Sequence, residues 1–192
     1  MVYYSIDTKA RTPVYFFLAS ISIVLAYLLS FANTPLKTFL APDVMLIYGI
    51  LVWLFDVYLW KMKLVQSMIK MPNLDGTYKG KLTRQNDGKS ELQERDITLT
   101  VSQTWLTMSL VFEGERSQST AKMILMSVQD PKHIVLNWIY DCKDYTGLED
   151  ENLYGEGTTE LKLRLSNGKR KLQGHYYSSK LRHGHLDLEQ IS

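Results

Sequence analysis

Two apolar stretches near the amino terminus constrain this chain more than any other feature. Pro13 to Ala32, PVYFFLASISIVLAYLLSFA, is 20 residues long and carries no charge. A helix of that length reaches across ~30 Å, the thickness of a bilayer's hydrocarbon core. Val44 to Trp60, VMLIYGILVWLFDVYLW, is 17 residues long with one charge, Asp56. It sits at the short end of what can cross. A cleaved signal peptide fits the first run poorly. The run is longer than a typical h-region, no A-x-A site follows it, and a second apolar run comes next. Residues 1–71 are therefore expected to form a two-helix transmembrane anchor.

Basic residues orient it. Lys9 and Arg11 precede the first span, Lys61, Lys63 and Lys70 follow the second, and Lys37 is alone between them. The positive-inside rule then puts both termini in the cytoplasm, with residues 72–192 beneath the inner face of the membrane. The single cysteine, Cys142, excludes an intrachain disulfide and fits a reducing compartment. Two features of the spans go beyond anchoring. Ser22, Ala26 and Ser30 form a row of small residues along the first span, a spacing that lets helices approach closely in lipid or that simply reflects an Ala/Ser-containing span. Asp56 lies about one turn from the cytoplasmic end of the second span. It is either a contact for a partner or polar path, or a carboxylate reaching the interface beside Lys61 and Lys63.

After KMPNLDG the pattern changes from helical to alternating. Turn chemistry recurs about every dozen residues, in NDGK, QDPK, SNGK and RHG. Eight strands are expected: 77–84, 95–103, 105–113, 120–129, 133–141, 157–165, 171–179 and 184–191. Short links between consecutive strands point to an all-β domain of residues 72–192, an eight-stranded antiparallel up-and-down minimal barrel. Closure removes exposed sheet edges. A two-sheet sandwich is the alternative. With 16 Lys+Arg against 17 Asp+Glu, this part is nearly neutral and gives no reason to expect a duplex nucleic-acid partner.

Alternation assigns faces. Tyr78, Gly80, Leu82 and Arg84 share one, as do Ile97, Leu99 and Val101, and Ile134, Leu136, Trp138 and Tyr140. The strand 120–129 is apolar on both faces and stays unassigned. Leu106, Met108, Leu163, Leu165, Leu172 and Leu188 are expected to plug the membrane-proximal end. The distal end gathers Arg84, Trp138, Tyr140, Thr159, Tyr176 and Ser178 on inner faces, with Lys180 and Arg182 in the last turn. Aromatic faces stack bases, arginine forks grip phosphate, and hydroxyls read either. These eight residues are the candidate ligand cup, suited to a planar anion, or else ordinary rim residues. The histidines beside them are less informative. His175 and His185 take outward parity, His183 belongs to the turn, and no Glu or Cys cluster completes a metal shell.

A two-span anchor joined to a β-rich domain, with NLDGTYKG opening that domain and LQGHYYSSKLRHGHLDL closing it, resembles the two-transmembrane β-barrel effectors of bacterial CBASS antiphage signalling. The resemblance implies a non-enzymatic protein without a cofactor. It implies a barrel that binds a cyclic dinucleotide made by a partner synthase. It further implies ligand-driven self-association and disruption of the inner membrane, ending in death of the infected cell. A membrane-tethered, lipocalin-like carrier of a small hydrophobic ligand is the alternative, and it requires an apolar cup. A structural adaptor with a filled barrel is a third.

Overall fold

The computed structural model describes residues 1–7, 11–31, 43–69, 71–86, 93–115, 117–130, 133–144, 154–166, 169–179 and 182–191. They divide into two units: Thr8–Met71, and a β unit in which Met1–Asp7 joins Pro72–Ser192.

In the first unit, α1 (Arg11–Phe31) and α2 (Val44–Val57) are the two apolar runs. Asp43 caps α2 by accepting from the Met45 amide at 2.9 Å, which fixes the start of that helix. A short 3-10 turn (Leu59–Lys61) and α3 (Lys63–Ile69) follow. Both runs are long and apolar enough to cross a membrane. Their bulky side chains, including Phe16, Phe17, Tyr27 and Met45, are exposed rather than gathered in a core. An apolar exterior of this kind suits lipid. Ser22 and Ala26 are buried, as is Leu18 one turn earlier, whereas Ser30 is half-buried and donates to the Tyr27 carbonyl. Asp56 is half-buried in the last turn of α2.

The β unit has nine strands, not eight. They are β1 (Val2–Ile6), β2 (Gly76–Asn86), β3 (Gln93–Gln103), β4 (Thr107–Gly114), β5 (Ser117–Asp130), β6 (His133–Asp144), β7 (Tyr154–Ser166), β8 (Lys169–Ser178) and β9 (Arg182–Gln190). The eight expected strands are all present, with ends moved by a few residues. The ninth lies ahead of the first span, so residues 2–6 belong with the β unit and not with the anchor. From β2 to β9 each strand pairs antiparallel with the next, and β9 pairs back to β2, from Tyr78↔Gln190 to Asn86↔Arg182. The pairings close into a barrel.

The weakest link in the ring is β4–β5, which pairs only from Val111↔Thr120 to Glu113↔Gln118. Below that point the two strands part, and β1 fills the fork. Val2 and Tyr3 pair antiparallel to β4, and Tyr4, Ser5 and Ile6 pair parallel to Ile124, Leu125 and Met126 of β5. Asp7 finishes the join. Its carboxylate accepts from the Ser127 hydroxyl and from the Val128 amide, and these bonds hold its carboxyl below the usual range. The β5 strand also contains a bulge at Lys122, between the pairs Ala121↔Tyr140 and Met123↔Ile139. One extra residue shifts the alternation, so Ala121, Ile124 and Met126 all point inward while Met123 and Leu125 are exposed. That shift is why this strand reads as apolar on both faces.

The end of the barrel where β2 begins is closed. Gln103 is buried there and satisfied at every polar group. Its side-chain carbonyl accepts from Leu74 N at 2.8 Å, its amide donates to Pro72 O at 3.3 Å and to the Tyr4 hydroxyl at 3.4 Å. Tyr4 in turn donates to Trp105 O at 3.1 Å, and Tyr78 donates to Leu74 O at 3.0 Å. Met108, Leu163, Leu172 and Leu188 are buried as expected. Leu106 is not part of the plug: β4 starts one residue later, and the half-buried Leu106 lies in the tight link that the Thr104 hydroxyl organises by accepting from Thr107 N at 2.9 Å. Trp105 is buried in its place. The side chain of Leu165 is outside the described residues.

Candidate functional site

The register builds the opposite end in level rows. Leu82, Leu186, Gly174, Leu161 and Leu136 are cross-strand neighbours and make an apolar layer. One step higher, the row runs Arg84, Gly184, Tyr176, Thr159 and Trp138. The next carries Arg182, Ser178, Gly157 and Tyr140. Polar and aromatic side chains thus succeed leucines over two residues of rise.

A cavity of about 320 Å³ opens here. Arg84, Tyr140, Thr159, Tyr176, Ser178 and Arg182 all line it, together with Leu82, Ile97, Phe112 and Leu186 toward its apolar side. Six of the eight candidate residues therefore share one site. Trp138 does not line it. Its ring is 3% exposed and stacks on Phe112 at 5.7 Å between centroids. Lys180 lies outside the described residues.

Arg95 also lines the cavity, with Ser117, Ser119 and Cys142. Alternation carried back two residues from Ile97 reaches Arg95, so the signal for it was present. Arg84, Arg95 and Arg182 stand on β2, β3 and β9, three adjacent strands. They form a basic wall, with Tyr176 beside it on β8 and Tyr140 further round the ring on β6. Burial raises the Tyr176 phenol above its ordinary pKa, and the positive charges of Arg84, Arg182 and Arg95 oppose that rise. Burial is also the main cause that raises the Tyr140 phenol. Both rings stay protonated near neutrality and can donate a hydrogen bond, as Tyr140 does to Tyr177 O at 3.4 Å. The site thus holds groups that grip an anion and rings that can cover a flat base.

Two glycines make room for these rings. A β-carbon at Gly157 would sit 2.3 Å from the Tyr140 hydroxyl, and one at Gly184 would sit 2.7 Å from the Tyr176 ring and 2.0 Å from Thr83 O. Gly184→Ala is expected to lower the melting midpoint, with a cost of about 1–3 kcal/mol from overpacking. It should also push Tyr176 into the cavity.

On the outer surface, His175 and His185 stand edge-on across β8–β9 at 5.0 Å, and both are exposed. His183 is on β9 rather than in the turn, stacked on Tyr177 at 6.5 Å. Among the described residues no group of three or more His, Cys, Asp or Glu is placed to hold a metal ion.

No curated protein matches this chain. A family model does, and it covers most of the β unit: the model described as "Cap15, cyclic dinucleotide receptor domain" matches residues 69–190, so the chain belongs to this family of CBASS receptor domains, here preceded by two helices able to cross a membrane.

Proposed function

We propose that the chain is a CBASS antiphage effector of the bacterial inner membrane, with both termini cytoplasmic, whose barrel binds a cyclic dinucleotide in the cavity at its open end. The observation that carries this reading is that Arg84, Arg95 and Arg182 line one cavity together with Tyr140 and Tyr176. Phosphates take the guanidinium forks, and a base lies against the tyrosines over the leucine layer. Thr159 and Ser178, with Lys180, supply further donors.

Occupancy then drives self-association, because a ligand can favour an assembled state only by binding it more tightly than the separate one. The assembled spans disrupt the bilayer and end the infection, and a partner nucleotide synthase supplies the messenger. Ser22, Ala26, Ser30 and Asp56 are the span residues assembly would use. Ser22 and Ala26 are already buried within the two-helix unit. Assembly through them thus requires that packing to exchange partners.

The test is thermal melting of the full chain in detergent, titrated with a panel of cyclic dinucleotides and with a fatty acid. A ligand that binds only the folded state at about 100 times its Kd stabilises by about 2.7 kcal/mol, so a member of the panel should raise the midpoint. A shift with the fatty acid and with no cyclic dinucleotide would overturn the reading in favour of a carrier.

A further inference from the structure

The amino-terminal strand occupies an unusual place. It precedes the first apolar helix, which begins four residues after Asp7, yet it is part of the barrel wall. We propose that β1 is a releasable strap that ties the start of α1 to the barrel wall below the ligand cup. The proposal rests on the messenger reading above for its trigger, but the strap itself is a property of the fold.

Three observations carry it. First, β1 is lightly held. It has five residues, of which only Tyr4 is buried, and Tyr3 is 79% exposed. Its pairing partners lie about a hundred residues away, so no hairpin returns it to its place. Tyr4 is fully enclosed, but a short element that buries one side chain still opens at lower free energy than the long strands around it. Second, its seat is a fork whose two arms have another task. Above the fork, β4 and β5 contribute Phe112, Gly114, Ser117 and Ser119 to the cavity. Those arms are bridged to each other by only three residue pairs. A ligand that draws the cup walls together changes the spacing of the arms, and hence the fit of the wedge between them. Third, a specific clip closes the seat: Asp7 to Ser127 and Val128, with Tyr4 to Trp105 O inside. Directional hydrogen bonds of this kind give a docked and an undocked state, not a gradual loosening. Because β1 is the chain's link into α1, undocking lets that helix move without unfolding β2–β9.

The experiment uses the full chain in detergent and needs no ligand for its first part. Hydrogen exchange of residues 2–7 is compared with that of residues 133–140 on β6. The strap should exchange about a hundredfold faster than β6 while the barrel stays folded. Equal protection of the two segments would overturn the proposal, since β1 would then open only with the whole barrel. A lock supplies the second part. Ser5 and Leu125 are neighbours across β1–β5 and both face outward, so a disulfide between S5C and L125C is within reach, with peptide mapping to show that Cys142 stays out of it. The oxidised form should show β6-like exchange at residues 2–7. When a cyclic dinucleotide raises its melting midpoint, it should nevertheless fail to release dye from lipid vesicles, and reduction should restore release. Release from the oxidised form equal to that from the reduced form would overturn the strap. If no cyclic dinucleotide shifts either form, the messenger reading fails, and exchange alone decides the strap.

Discussion

Alanine at both Arg84 and Arg182 is expected to abolish the rise in melting midpoint that a cyclic dinucleotide produces, while leaving the unliganded barrel folded. The two side chains come from neighbouring strands, β2 and β9, and line one cavity with Arg95. A charge-assisted hydrogen bond contributes about 1.5–3 kcal/mol, so losing two removes about 3–6 kcal/mol, or roughly 10²–10⁴ in affinity. The empty cup has the opposite interest. Three guanidinium groups close enough to act on one Tyr176 phenol also repel each other. Removing two relieves that repulsion, which offsets the contacts the two side chains lose. Arg182→Lys separates charge from geometry: it keeps the charge and loses the paired fork, so it should lie between wild type and alanine. His185→Ala is the control. That ring is on the outer face of β9, across from His175, and its loss should leave ligand binding intact. A double variant that still responds fully to ligand would place the site elsewhere.

The ring of strands was legible in the sequence because its determinants are local. Turn residues mark each reversal, and period-two alternation states which face is inside. The first strand was not legible for the converse reason. VYYSI is five residues without a turn to a partner, and its place is set by a fork assembled from β4 and β5 a hundred positions later. The bulge at Lys122 blurred β5 in a different way, since one inserted residue reverses the alternation on which the reading depends. In the site, face was readable, but which inward ring another ring covers was not. Arg84, Tyr140, Thr159, Tyr176 and Ser178 were placed inside by parity and Arg182 in the last turn; all six line one cavity, Arg182 from the first position of β9 and not from a turn. Arg95 obeys the same parity but stands at the exposed start of its strand, where charge invites an outward assignment. Trp138 also points inward, level with Arg84, Tyr176 and Thr159, but its ring is stacked on Phe112, and it is Phe112 that lines the cavity.

That enclosure against Phe112 gives the second large effect. Trp138→Ala is expected to destabilise the barrel by about 3–5 kcal/mol, the cost of emptying a large aromatic site in a packed core. Its ring is enclosed between strands, stacks on Phe112, and lies one row below Tyr140. The alternative is the role that parity alone assigns it, a platform for a base of the ligand. A stacking platform contributes about 1–3 kcal/mol to binding and little to folding. The two roles therefore separate on two measurements made on one protein. Denaturant melts of the unliganded full chain in detergent, followed by circular dichroism, give the stability change. Titration at a temperature where the variant is still folded gives the affinity change. A core role lowers the first by several kcal/mol and changes the second by less than about tenfold, because Phe112, which lines the cavity, loses its backing without leaving the wall. A platform role does the reverse. Phe112→Leu sharpens the contrast: it keeps an apolar side chain against Trp138 while removing a flat face from the cavity, so it should cost more in binding than in folding.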